Sequence, residues 1–423
     1  MSKKSIFSSK SIIDFIYMFS SNILKKGFGF VREIILAYFF GSSILYANYL
    51  LLKTVSDFFS QLTLGNALQT NLMPKFTRLY NISGSVNMKE VYYFSKSFSW
   101  KLFLMSQLIQ MTMIWYINPV NKGLYIVLSM LLGLVMSANF FNSIFLIALQ
   151  AKGDFKKHSV ATTVNLFVST IVLYPFVLLS GIIGIVIARL VGVMTLTLKY
   201  IKPLIAESGS VKGSLSFSDF NLSLMLLGNF ANIIMLLSRF VAGADGSNNI
   251  AFYTYAIVFL NIFLTAVVMN INTLVLKIIS VKKDYRIILF SALISTIIGG
   301  IFILIISSFS VEIISFAFER GAFTASDTLI TSSYIKDISW IFIFIFIASA
   351  LFQPYFTLPQ SYLKKTSKHL ARPFIISVLL LLAYFYLNNQ GVRFNSLVMI
   401  YVLSFISFVL SIIAFIKYYR YET

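Results

Sequence analysis

Long apolar runs separated by short polar segments dominate the chain. A run of roughly 18–25 apolar residues is long enough to cross the hydrocarbon core of a bilayer as a helix. Twelve such runs lie at residues 12–40, 47–73, 94–118, 123–149, 159–181, 183–201, 221–243, 251–276, 286–308, 329–353, 370–388 and 395–417. The pattern predicts an all-α membrane protein with about twelve transmembrane helices.

The polar connections alternate in charge along the chain. Lysine and arginine concentrate at both termini and in every second connection. The other connections contain only three of these cations, Lys122, Arg320 and Arg393. Loops that remain in the cytoplasm carry an excess of these two residues. Both termini are therefore predicted to be cytoplasmic.

The two halves of the chain share a pattern. The segments 150–158 and 360–369 each follow an apolar run and contain a lysine pair, and equivalent positions lie about 205 residues apart. This repeat predicts an N-terminal six-helix lobe at 1–205, a cytoplasmic linker at 206–220 and a C-terminal six-helix lobe at 221–423. An even number of spans in each half makes the lobes parallel repeats, which we expect to surround a central cavity.

The composition excludes several classes of protein. Hydrophobic residues make up 58% of the 423 and charged residues only 11%, which is too few for the surface of a soluble domain. There is no cysteine, and His158 and His369 fall in lysine-rich segments predicted to be loops, so we expect no metal site and no enzymatic chemistry. The net charge of +20 is attributed to topology and to contact with membrane lipid rather than to nucleic-acid binding.

Within nine residues of the first apolar run lie four charged residues, Lys25, Lys26, Arg32 and Glu33. A charge at bilayer depth costs roughly 2.5–3.5 kcal/mol on insertion scales. Three cations against one acid indicate a wet, protein-lined cavity rather than simple ion pairing. Gly27 and Gly29 lie among these residues and permit a bend or a close approach of another helix.

Other spans also carry charge. Lys53 and Asp57 are four residues apart on the second span, and Arg239 lies on the seventh. The pair on the second span either neutralises itself between packed helices or contributes to a site. Arginine binds phosphate with two parallel hydrogen bonds, and internal acids are scarce, so a lipid-linked phosphate or diphosphate is the ligand that fits best.

Two segments resemble a known family. The segment Gly29–Gly41 and the decapeptide Phe318–Asp327 are similar to the corresponding segments of the MurJ (MviN) lipid II flippases. The decapeptide is the more specific of the two, and its family-motif residues are Glu319, Arg320, Gly321, Phe323, Thr324 and Asp327. The resemblance implies the fold of the multidrug/oligosaccharidyl-lipid/polysaccharide exporter superfamily and a bacterial cytoplasmic membrane as the location.

The resemblance also implies roles for individual residues. Arg32 matches an arginine of the family's first span, Glu33 matches the acid beside it, and Lys26 stands where a second arginine is usual. Arginines of the family's second and eighth spans have no counterpart here, and Lys53 and Arg239 are inferred to replace their charge. The family's two extra C-terminal spans also have no counterpart, which leaves lipid II and a related lipid-linked glycan both open as substrates.

These observations predict a flippase that moves a polyprenyl-diphosphate-linked saccharide to the outer leaflet by alternating access. The residues predicted to bind the diphosphate are Lys26, Arg32, Lys53 and Arg239, with Glu33 and Asp57 as coupling or charge-pairing groups. No cofactor is expected, and the energy would come from the membrane potential, Na+ or H+. Expected partners are the lipid-linked saccharide, membrane lipid and enzymes of envelope-polymer synthesis. The alternatives are a cation-coupled drug antiporter of the same superfamily and a membrane glycosyltransferase or polymerase.

Overall fold

The computed structural model is helical throughout most of the chain, which confirms the predicted all-α class. It describes residues 9–63, 66–83, 86–206, 211–212, 215–216, 219–221, 223, 225–226, 229–244, 248–268, 271, 285–352, 354–355, 358–390 and 396–422. The chain forms two compact units. The first unit comprises Met1–Ile35 and Thr63–Phe220, and the second comprises Leu36–Leu62 and Asn221–Thr423.

The first unit contains most of α1 and the helices that follow the second span. In chain order its elements are α1 (Ser9–Phe40, whose last five residues belong to the second unit), α3 (Asn66–Ser83), β1 (Val86–Asn87), α4 (Lys89–Ile117), α5 (Lys122–Ala151), α6 (Phe155–Ile171), α7 (Leu173–Ser180), α8 (Ile182–Leu196), a π-helical turn (Thr197–Ile201), α9 (Lys202–Ala206) and β2 (Val211–Lys212). The two short strands pair in parallel, with Val86 opposite Val211.

The second unit combines an early helix with the C-terminal half of the chain. Its elements are α2 (Ile44–Thr63, of which Thr63 falls in the first unit), α10 (Phe230–Ala244), α11 (Asn249–Phe263), a π-helical turn (Leu264–Val268), α12 (Tyr285–Ser308), α13 (Ser310–Phe318), α14 (Ala325–Ser339), α15 (Ile341–Phe352), α16 (Gln360–Asn389) and α17 (Ser396–Glu422). The lobe boundaries at 205 and 220 stay predictions; in the compact units, Leu36–Leu62 belongs with the C-terminal helices.

All twelve predicted spans fall at least partly on helices, and the second prediction, 47–73, covers α2 and the beginning of α3. Among the described residues, five segments are long and apolar enough to cross a membrane: Lys122–Ala151, Phe155–Ser180, Ile182–Ala206, Arg286–Ser308 and Ser396–Tyr421. A sixth is added if α14 and α15, bent by 46°, form one broken span. The helix α1, which carries the four charged residues discussed above, is not one of these segments.

The basic segments predicted to be cytoplasmic loops are partly helical, which corrects the sequence analysis. His158 lies in the first turn of α6, and His369 lies within α16. Alternating lysines and polar residues are compatible with the exposed end of a helix that continues into the membrane, so charge alone does not mark a loop.

An ion pair in the first unit joins α3 to the segment that precedes the second unit. The Lys75 Nζ donates to Asp219 Oδ2 at 2.7 Å, and the Ser216 backbone N–H donates to the same oxygen at 2.8 Å. Burial alone would raise the pKa of Asp219. The hydrogen bonds from Lys75 and Ser216 and the charge of Lys75 outweigh burial and hold this pKa below its usual value of 3.8.

We expect Asp219→Asn to expose the backbone near Lys212 and Ser216, because the amide cannot replace the charged acceptor. Faster amide hydrogen exchange at residues 211–220 would report this, with Asp154→Asn as the control because its partner Lys157 is exposed. A carboxyl whose folded pKa is lowered stabilises the folded state above its unfolded pKa, and this contribution disappears as the pH falls through the folded value. Exchange in the wild-type protein, corrected for intrinsic rates, should therefore rise only below about pH 3.8. Equal exchange in both variants would contradict the assignment.

Candidate functional site

One stripe of α1 in the first unit combines packing residues with cations. Positions four and seven residues apart lie on one side of a helix, which groups Ser21, Lys25, Phe28 and Arg32. The Ser21 hydroxyl lies 2.8 Å from the Thr163 hydroxyl and 3.2 Å from the Ser159 carbonyl oxygen. The centroid of the Phe28 ring lies 5.3 Å from that of the Phe167 ring on α6. The stripe therefore faces α6, and the two helices run in the same direction.

The positions along α1 fix the depth of its charges. Each residue advances a helix by about 1.5 Å, so Arg32 lies about 12 Å, and Lys25 about 22 Å, from the end of α1 at Phe40. For a hydrocarbon core about 30 Å thick with one boundary at the end of α1, these distances place Arg32 near the middle and Lys25 about 8 Å from the opposite boundary. With this placement both charges lie within the apolar layer.

Arg32 is adjacent to an acid. Its Nη2 donates to Glu33 Oε1 at 3.0 Å, with both side chains largely buried. Lys25 and Lys26, by contrast, form no ion pair with any residue the structure describes. Three cations and one acid therefore give this part of α1 a positive charge. Of the bend and the close approach that Gly27 and Gly29 permit, the close approach does not occur among the described residues, because a Cβ at either position would meet nothing within 4 Å.

The second unit contains a separate charged cluster between α2 and α10. Lys53 donates to Asp57 Oδ2 within α2, and Arg239 Nη1 lies 3.6 Å from the same oxygen. The Arg239 Nε atom is buried and forms no hydrogen bond with the described residues. Asp57 is thus shared by two cations, and the three residues together carry one net positive charge. Asp57 therefore does not serve to neutralise Lys53 alone, because Arg239 lies beside the same carboxylate.

Polar residues extend this cluster along both helices. Gln61, one turn beyond Asp57, accepts from Asn229 at its backbone carbonyl and from Asn232 at its side-chain oxygen, the latter at 3.4 Å. These contacts pack the polar face of α2 against α10 and position Asp57 beside Arg239.

The family-motif decapeptide packs against the turn between α1 and α2, within the second unit. The Ala322 N–H donates to the Tyr38 carbonyl at 2.8 Å, and the Ser42 hydroxyl donates to Asp327 Oδ1 at 2.5 Å. A buried tyrosine, Tyr255, donates to the Gly41 carbonyl at 3.0 Å. We call this set of contacts the outer turn contact; it holds the end of α1 and the beginning of α2.

The remaining motif residues shape the loop that makes the outer turn contact. Thr324 and Asp327 form a capping box at the start of α14, with Thr324 N–H to Asp327 Oδ2 at 2.8 Å. Glu319 accepts from Thr328 at 2.8 Å, and Arg320 donates to the Phe316 carbonyl. Phe323 is buried, and Gly321 has a positive φ of 61°. These contacts make the motif structural in this chain.

The structure brings together some of the predicted site residues. Lys53, Asp57 and Arg239 form one cluster in the second unit, and Lys26, Arg32 and Glu33 lie on α1 in the first unit; the two groups belong to different compact units. The assignment of these residues to diphosphate binding stays a prediction. Lys25 shares a stripe with Arg32 whereas Lys26 does not, as the seven-residue spacing in the sequence predicts.

Solved structures provide the comparison that reveals the fold. The inward-closed lipid II flippase MurJ aligns with 97% of this chain and 87% of its own, at 17% identity and a TM-score of 0.69. An inward-facing multidrug-resistance MATE transporter covers 96% of this chain and 98% of its own, at 14% identity and a TM-score of 0.67. A MOP-superfamily transporter from Pyrococcus furiosus aligns over 98% and 93%, at 15% identity and a TM-score of 0.54.

The chain has the fold of the MOP-superfamily transporters. This confirms the fold that the resemblance to MurJ implied, and it identifies the chain as a multi-pass helical membrane protein. No protein-family model and no curated protein sequence matches the chain. At identities of 14–17% the likeness extends to the fold, so substrate and mechanism depend on the residues described above.

Proposed function

We propose that the protein is a flippase that moves a polyprenyl-diphosphate-linked saccharide from the cytoplasmic to the outer leaflet. The observation that carries this proposal is the excess of cations over acids at membrane depth. In the first unit Lys25, Lys26 and Arg32 accompany one acid, and in the second unit two cations share Asp57. A charged group in the apolar layer is expensive unless it binds an opposite charge, so an anionic headgroup is the complementary ligand.

The chemistry of the cations favours a phosphate group. Arginine presents parallel N–H donors that match two phosphate oxygens, and lysine adds a mobile charge. A lipid-linked diphosphate needs such a path only for its charged head, because the polyprenyl tail remains in the bilayer. In alternating access the binding site stays in place and opens first to one side of the membrane and then to the other. No covalent bond is made or broken.

The energy source is part of the proposal. Moving one elementary charge across 100 mV changes the free energy by about 2.3 kcal/mol, so a cytoplasm of negative potential favours the outward movement of an anionic substrate. Glu33 and Asp57 are the acids adjacent to the proposed binding cations, and they are the residues through which Na+ or H+ would couple. Among the described residues no group of three His, Asp or Glu forms a metal site.

A cation-coupled antiporter is the second candidate, and one observation favours it. A MATE multidrug transporter aligns with almost the whole chain at a TM-score close to that of MurJ. The charge balance favours the flippase, because recognition of a cationic drug requires acids in excess. The two candidates predict opposite substrate charges and are separable by the experiment below.

We expect Arg32→Ala to lower flipping by about 100-fold, corresponding to roughly 2.7 kcal/mol, because it removes the bidentate phosphate donor at the middle of the apolar layer. The measurement is the outward movement of a fluorescent polyprenyl-diphosphate saccharide in proteoliposomes, read by a quencher that cannot cross the membrane. Arg78→Ala is the matched control, because Arg78 is exposed on α3. Normal flipping by Arg32→Ala, or export of a cationic dye by the wild-type protein without flipping, would reject the proposal.

A further inference from the structure

A second group of polar residues lies on the cytoplasmic side of Arg32 in the first unit. It consists of Lys25 on α1, Gln150 at the end of α5 and His158 in the first turn of α6; we call it the Gln150–His158 group. The Gln150 Nε2 lies 3.3 Å from His158 Nδ1. Ser21, one turn before Lys25 on the same stripe of α1, lies 3.2 Å from the carbonyl oxygen of Ser159, the residue after His158. Lys25 and His158 are half-buried, and Gln150 is buried.

The contact between Gln150 and His158 determines which ring nitrogen of the histidine carries a proton. An amide nitrogen can only donate, so Nδ1 of His158 accepts this hydrogen bond. The neutral ring then carries its proton on Nε2, which is a donor. Lys25, on the stripe of α1 that faces α6, adds an ammonium group with three further donors. The group therefore presents donors and a positive charge together.

No acid pairs with this group among the side chains that the structure describes. Asp154, the residue immediately before α6, binds the exposed Lys157 through its carboxylate at 3.4 Å. Lys25 and His158 form no ion pair with the residues the structure describes. A half-buried ammonium beside a second donor lacks the compensation that buried charges normally have in proteins.

The position of the group relates it to Arg32. Lys25 and Arg32 are seven residues apart on the same stripe of α1, which is about 10 Å along the helix axis. The stripe faces α6, and His158 lies at the cytoplasmic beginning of that helix. An anion that enters from the cytoplasm along this face of α1 would meet the Gln150–His158 group before Arg32.

We propose that Lys25, His158 and Gln150 form an anion subsite that binds a phosphate group at the cytoplasmic end of the path. Lys25 supplies the charge, His158 Nε2 donates a hydrogen bond to a phosphate oxygen, and Gln150 fixes the ring. The phosphate belongs either to a free or tail-bearing diphosphate or to the headgroup of a membrane phospholipid. The path itself rests on the proposed function, whereas binding of phosphate at these residues does not.

Binding to the purified full-length protein in nanodiscs tests the subsite. In one arm inorganic pyrophosphate is titrated into protein in phosphatidylcholine nanodiscs, and in the other the probe is the retention of phosphatidylglycerol, measured by native mass spectrometry. We expect Lys25→Gln and His158→Gln each to weaken binding of one probe about tenfold. Lys25→Arg, which keeps the charge, should bind nearly as the wild type does, and this variant also reports on folding.

Lys157→Gln is the matched control, because it removes an exposed lysine one residue from His158. Loss of pyrophosphate binding supports a diphosphate subsite, and loss of phosphatidylglycerol supports a lipid-headgroup subsite. Equal binding of both probes by Lys25→Gln, His158→Gln and wild type overturns the proposal. Arg32→Gln is measured in parallel to separate a failure of this subsite from a failure of the proposed function. If only the Gln150–His158 group has been misassigned, Arg32→Gln still lowers pyrophosphate binding.

Discussion

Replacing Asp57 by alanine is expected to destabilise the protein by about 3 kcal/mol, at the lower end of the range for removing one partner of a buried ion pair. The Lys53, Asp57 and Arg239 side chains are only 11%, 17% and 14% exposed, so water screens their charges poorly. Without the shared carboxylate, Lys53 and Arg239 repel each other at membrane depth. The midpoint of thermal unfolding in detergent, followed by gel filtration, measures the loss.

A second substitution makes this prediction specific. Lys53→Met should destabilise the wild-type protein, because it removes a partner of Asp57. The same substitution should stabilise Asp57→Ala, because it removes the repulsion from Arg239. Asp154→Ala serves as the control, since its partner Lys157 is 66% exposed and such surface pairs contribute about 1 kcal/mol or less. If Lys53→Met has the same sign in both backgrounds, the three charges do not act as a cluster.

Gly41→Ala is expected to destabilise the protein by about 2–5 kcal/mol, through two separate effects. Gly41 has a positive φ of 50°, which costs an L-residue about 1–2 kcal/mol. A Cβ there would also overlap the backbone carbonyl of Ala322, which cannot move without breaking the outer turn contact. Overpacking of this kind costs about 1–3 kcal/mol more.

Gly153→Ala is the matched control for the second effect. Gly153 also has a positive φ, of 87°, but a Cβ there would meet nothing within 4 Å. This control should lose only the backbone contribution of about 1–2 kcal/mol. Unfolding midpoints measured under identical detergent conditions compare the two variants. If both variants lose the same amount of stability, the overlap with Ala322 does not contribute to the destabilisation by Gly41→Ala.

The spans were predictable from the sequence because hydropathy over twenty residues reflects one physical requirement, the transfer of a helix into lipid. The contacts between helices were not. Asp57 and Arg239 are remote in sequence, and each shows only its own helical spacing, which does not reveal that α2 packs against α10. The partners in the outer turn contact could not be predicted for the same reason. The resemblance singled out Gly321 and Asp327, but only the folded chain shows that Tyr38 and Ser42 are their partners.

The candidate site was predictable in its charge and less so in its geometry. The scarcity of acids near Lys25, Lys26 and Arg32 is visible in the sequence, and the structure retains it. Which lysine shares a side with Arg32 follows from helical spacing, whereas the family resemblance had favoured Lys26. His158 was predicted to lie in a loop, since the lysines around it resemble a connection, and its place at the start of α6 depends on packing against α5 and α1.

The pairing of α2 with α10 has a consequence for biosynthesis. The ribosome adds roughly 5–20 residues per second, so Arg239 emerges about 10–40 seconds after Asp57. During this interval α2 must reside in the membrane without the helix that later packs against its polar face. The internal pair of Lys53 and Asp57, four residues apart, makes the waiting helix nearly neutral and lowers the cost of its insertion. Before α10 is inserted, this pair neutralises the charge of its own helix. After α10 packs against α2, the pair becomes part of a cationic cluster.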